Sequence, residues 1–105
     1  MDQQATELQA LRVGNLVLPP GGRAALIGDK PVPLTRTEFQ VLELLLQRAG
    51  TVVVRGDFNV AGGAAGSNVL EVMVSRLRRK LKAAGADVQL QLARGQGYRM
   101  QVSQP

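Results

Sequence analysis

Residues 34–46, LTRTEFQVLELLL, constrain this chain more than any other stretch. Thr35 and Glu38 stand three apart, the spacing at which a hydroxyl accepts from a first-turn amide while a carboxylate reaches back to the cap. Leu34 and Phe39 occupy the positions of a hydrophobic staple around that start. Phe39, Val41, Leu42, Leu44, Leu45 and Leu46 then cover more than half the girth of a helix, and Gly50 ends it as a left-handed cap. A helix so apolar must be covered on several sides, which predicts that it is the central core element. With 105 residues the chain has material for one such core and one domain.

The flanking segments suggest what covers it. Residues 1–10 are mostly polar and read as a linker or tail, with the domain spanning 11–103. Residues 11–13 and 16–18 are short apolar runs around Gly14 and Asn15, a turn dipeptide. Residues 19–22, PPGG, break the chain; 24–27 resume it, Gly28 and Asp29 turn, and 30–34 form another extended piece. Pro31 and Pro33 confine that piece to an edge. A small antiparallel N-terminal sheet is expected. After the central helix, residues 51–54 are β-branched and strand-like, and 55–60 predict a brief second helix weakened by Gly56. Residues 61–66 form a glycine-rich connection.

A third helix is predicted from Ser67 or Asn68 to about Ala84, with Asn68 and Glu71 repeating the capping-box spacing. At about 100° per residue, Leu70, Val74, Leu77 and Leu81 fall in one narrow stripe. Asn68, Val72, Ser75 and Arg79 lie opposite, flanked by Arg76, Arg78 and Lys82. Residues 88–92 and 98–102 then flank a turn containing Arg94 and Gly95 as a terminal hairpin. Charge follows the same division. Residues 1–66 are neutral overall, whereas 67–105 hold seven Lys/Arg against Glu71 and Asp87 and so carry the whole net charge of +5. A basic, small-residue helix face suits a major groove about 12 Å wide, and the coincidence of charge with helix and hairpin points to a polyanion partner.

Other classes fit poorly. The chain has no cysteine and no histidine, which removes thiolate metal sites, the commonest neutral metal ligand and the commonest general base. Asp57, Asp87 and the glutamates show no pairing for acid–base chemistry, and nothing activates a serine. Residues 62–67 lack the Gly-Lys-Ser/Thr ending of a nucleotide loop. No apolar run approaches a membrane span. No enzyme, cofactor or membrane role is expected.

The order sheet, helix, short helix, long helix, hairpin is an α+β winged helix-turn-helix. From about residue 11 to 102 the chain resembles the C-terminal winged-helix effector domain of OmpR/PhoB-type bacterial response regulators. The likeness is carried by residues 34–46, by 52–55 (VVVR), and by 67–81 (SNVLEVMVSRLRRKL) with 94–100 (RGQGYRM). It implies sequence-specific binding of double-stranded DNA in a cytoplasmic two-component regulator. The third helix would enter the major groove and Arg94 the minor groove. Arg76 becomes the leading candidate for base readout, with Arg78 and Arg79 near phosphates or bases, and Lys80 on the same basic run. Asn68, Val72 and Ser75 would face the groove; Arg55 and Tyr98 are phosphate candidates. The resemblance also implies a receiver domain outside these 105 residues, dimers on direct repeats, and contact with RNA polymerase. Two departures stand out. Met73 replaces the family's frequent histidine, and residues 57–66, where the polymerase-associated loop belongs, are short, glycine-rich and without tryptophan. Two alternatives remain open: a winged helix working through protein contacts, and a DNA-binding domain of a regulator without a receiver.

Overall fold

A computed structural model describes residues 10–21, 23–58 and 68–102. Four short strands come first: β1 (Leu11–Val13), β2 (Leu16–Leu18), β3 (Ala24–Ile27) and β4 (Lys30–Pro33). They form an antiparallel meander in chain order, with Leu11 opposite Leu18, Leu16 opposite Ile27 and Ala25 opposite Val32. Alternation sends Leu16, Leu18, Ala25, Ile27 and Val32 into the core. The proline-bearing β4 lies at the sheet edge, where missing backbone donors do least harm.

The central helix α1 (Arg36–Gln47) begins as its sequence dictates. The Glu38 amide donates to Thr35 Oγ1 at 3.1 Å and the Thr35 amide donates to Glu38 Oε1 at 2.9 Å. Val41, Leu42, Leu45 and Leu46 are buried, and the helix packs against β1, the second helix and the last strand. At its end Gly50 (φ +84°) donates to the Met100 carbonyl at 2.8 Å.

The chain then forms β5 (Val53–Val54) and a 3-10 turn (Arg55–Asp57). The brief helix expected over 55–60 is therefore shorter than its pattern suggested: Gly56 costs helix propensity, and the Arg55 amide is drawn to the Gln96 carbonyl at 3.1 Å. Residues 59–60, and the glycine-rich connection after them, lie outside the described residues. Among the described residues there are two α-helices and this turn, rather than three helices.

The long helix α2 (Val69–Ala83) buries Leu70, Val74, Leu77 and Leu81. Its start corrects the second capping-box expectation. Asn68 makes no side-chain cap bond, and Glu71 pairs with Arg55 instead. The helix stops in a Schellman arrangement. Gly85 (φ +84°) donates to the Lys82 carbonyl at 3.1 Å and Ala86 to the Leu81 carbonyl at 2.9 Å. A hairpin of β6 (Val88–Ala93) and β7 (Gly97–Val102) follows, and β5 joins it to give the order β5-β7-β6.

The two sheets and two helices share one apolar cluster. A clasp also ties the β1–β2 turn to the end of α2. The Asn15 amide donates to Asp87 Oδ1 at 2.8 Å, its side-chain Nδ2 to the Gly85 carbonyl at 3.1 Å, and the Asp87 amide donates to Asn15 Oδ1 at 2.9 Å. A side chain at Gly14 would collide with the Asp87 carboxylate, and φ there is +58°.

Candidate nucleic-acid interface

The face of α2 opposite its buried stripe is open. Asn68, Ser75, Arg76, Arg79 and Lys82 are exposed and Val72 is half-buried. Arg76 and Arg79 make no ion pair or hydrogen bond among the described residues, and neither does Arg94 at the tip of the β6–β7 hairpin. Unpaired, exposed guanidiniums concentrate positive potential on this face, which favours an anionic partner.

The hairpin tip and the start of α2 are brought together through Arg55. Its amide holds the Gln96 carbonyl beside Arg94, and its guanidinium pairs with Glu71 in the first turn of α2. Gly95 (φ +75°) gives the three-residue turn its left-handed position, and Gln96 donates back to the Ala93 carbonyl at 2.9 Å. Arg55 is exposed but not free, since Glu71 already holds its guanidinium.

Three sequence candidates sit differently from expectation. Tyr98 is only 4% exposed and packs edge-on against Phe58, with ring centroids 6.3 Å apart at 77°. It is a core residue, as its two-residue spacing from buried Met100 could have signalled. Arg78 is exposed, yet its Nε donates to the Leu90 carbonyl of β6 at 2.9 Å. Lys80 turns away from the open face altogether. Its ammonium donates to Glu38 Oε1 at 2.6 Å and to the Pro33 carbonyl at 3.0 Å.

That last contact fixes the helix in the body. Glu38 is 1% exposed, and burial by itself would push its carboxyl pKa up. The Lys80 hydrogen bond, the Thr35 amide and the Lys80 charge together outweigh burial and hold it below the ordinary value. One carboxylate thus caps α1 and anchors α2. Among the described residues, no group of three or more potential metal ligands occurs and no helix is long and apolar enough to cross a membrane.

Comparison with known proteins agrees with this architecture. Residues 29–100 match the family model described as transcriptional regulatory protein, C terminal. The chain is 36% identical over 113 residues to the response regulator MprA of Mycolicibacterium vanbaalenii, covering 99% of this chain and 47% of that protein. It is 37% identical over 92 residues to the two-component response regulator PhoP of Pseudomonas aeruginosa, covering 84% of this chain and 41% of that one. The chain therefore spans less than half the length of either relative. Among solved structures, the DNA-binding domain of CpxR from E. coli superposes with a TM-score of 0.76 at 34% identity, over 90% of this chain and 98% of that one. The AdeR DNA-binding domain, solved in complex with an intercistronic region, gives 0.74 at 25% identity, over 90% and 99%.

Proposed function

The chain belongs to the family of C-terminal domains of OmpR/PhoB-type transcriptional regulatory proteins, and from that premise we propose that it binds double-stranded DNA sequence-specifically as the effector domain of a two-component response regulator. The observation that carries the reading is the open face of α2, where Arg76 and Arg79 stand unpaired among the described residues next to the tip bearing Arg94. In this reading α2 lies in the major groove. Arg76 reads a base edge, with Asn68, Val72 and Ser75 in the groove wall contacts, while Arg79 and Lys82 meet phosphates. Arg94 enters the minor groove, whose narrow A·T-rich stretches concentrate negative potential. Arg55 serves phosphate once released from Glu71. Tyr98 supports the wing from within rather than touching DNA.

The longer protein would carry a receiver domain, work in the bacterial cytoplasm and bind direct repeats as a dimer. RNA polymerase contact is the weakest of these extensions, because residues 57–66 are short and glycine-rich. Binding rather than catalysis is the proposed activity. The test is to select bound duplexes from a random pool and titrate the winner. About six phosphate contacts imply an affinity falling roughly a thousandfold between 50 and 200 mM salt. Arg76→Ala should cost about 1–3 kcal/mol against the selected site and flatten base preference at one position. A protein that shows no duplex preference, yet binds another protein tightly, would instead be a protein-docking winged helix.

A further inference from the structure

Two ties hold the β6–β7 hairpin, which carries Arg94 at its tip, relative to α2. On the β5 side the Arg55 amide donates to the Gln96 carbonyl at 3.1 Å, and the Arg55 guanidinium pairs with Glu71 in the first turn of α2. At the other edge Arg78 Nε donates to the Leu90 carbonyl at 2.9 Å. Among the described residues β6 has β7 as its only strand neighbour, so half of its backbone groups point away from that partner. Arg78 reaches one of them across a groove that Leu81, Lys82 and Val88 also line. Arg78 lies two positions after Arg76, which puts their side chains about 160° apart around α2. Arg76 faces one flank and Arg78 faces the wing.

We propose that Arg78 is a positioning residue: it sets the angle between α2 and the wing, and so the spacing between what Arg76 and Arg94 can reach. This inference rests on the proposed DNA binding. The residue type fits the task. A guanidinium directs Nε along a fixed plane, whereas a lysine ammonium supplies the same charge without that direction. Arg78→Lys therefore separates positioning from phosphate contact, because it keeps the charge and loses the aimed bond.

The experiment uses two duplexes that differ only in the base pairs beneath Arg94, one A·T and one G·C, titrated across salt. Arg78→Lys is expected to lower the preference for the A·T duplex by about three- to tenfold, as Arg94→Ala does, with the double variant losing little more. Its salt slope should match the wild type. In the free protein, amide 15N relaxation should report greater motion over residues 91–96 in both Arg78→Lys and Arg78→Gln. The proposal is overturned if Arg78→Lys keeps the wild-type preference while Arg78→Gln lowers the salt slope by about 0.9, the mark of one lost phosphate contact. Unchanged relaxation over 91–96 would overturn it as well. Failure of the wild type to bind any duplex would remove the DNA reading alone, and relaxation would then decide whether the tie holds the wing.

Discussion

Replacing Lys80 with methionine tests whether the Glu38–Lys80 contact holds α2 in place. The substitution nearly preserves side-chain length and removes the ammonium that meets Glu38 Oε1 at 2.6 Å. Glu38 then remains 1% exposed in surroundings that disfavour its charge, with the Thr35 amide as its remaining hydrogen-bond donor. Breaking a buried ion pair costs about 3–5 kcal/mol. Because the Lys80 side chain is 35% exposed, water softens the loss, and about 2–3 kcal/mol is the expected cost near neutral pH. For a domain of this size that lowers Tm by roughly 10–15 °C.

The pH dependence gives the sharper check. In the wild type Glu38 titrates below its ordinary value, so its contribution is present above the unfolded pKa and disappears as pH falls through the folded one. Without Lys80, two of the contributions that oppose burial are lost, so the folded pKa rises and that stabilisation shrinks. The deficit of Lys80→Met should therefore be largest at neutral pH and shrink as Glu38 protonates. Thermal unfolding followed by circular dichroism between pH 3 and pH 8 reads this directly. In a Glu38→Gln background, which keeps an oxygen for the Thr35 amide, the same Lys80→Met change should cost under about 1 kcal/mol. A pH-independent deficit, or strictly additive single effects, would refute the reasoning.

Gly97→Ala places a Cβ against the Val53 carbonyl and 2.9 Å from Val54 Cα, all of it backbone that cannot yield. It should cost about 2–3 kcal/mol in urea unfolding and detach β5 from β7, and an unchanged midpoint would count against the described strand pairing. Glu71→Gln frees Arg55 from its ion pair. Duplex affinity should rise and the salt slope steepen by about 0.9 as one more phosphate is engaged; weaker binding would mean that Glu71 orders Arg55 instead of withholding it.

The sequence was most legible where partners are close along the chain. Thr35 and Glu38 lie one helical turn apart, and their reciprocal bonds form as their spacing implies. The stripe Leu70, Val74, Leu77 and Leu81 is buried for the same local reason. Asn68 and Glu71 have the same spacing and no box, because Arg55, 16 residues earlier than Glu71, takes the carboxylate. Long-range partners also redirected the basic run. Lys80 is claimed by Glu38, 42 positions away, and Arg78 by a strand that has not yet begun when the helix ends. Neither choice is written in helical periodicity, which fixes a side chain's azimuth but not what waits there. Tyr98 became a phosphate candidate through the family resemblance, while strand alternation with buried Met100 already argued for an inward side chain.

The clasp at Asn15 has a mechanical consequence. It joins Asn15 to a loop 72 positions later, in the last connection before the wing. A single carboxamide and a single carboxylate thereby rivet the first hairpin to the tail of α2, outside the apolar cluster. Fraying at the front of the domain is therefore expected to loosen the back of that helix as well.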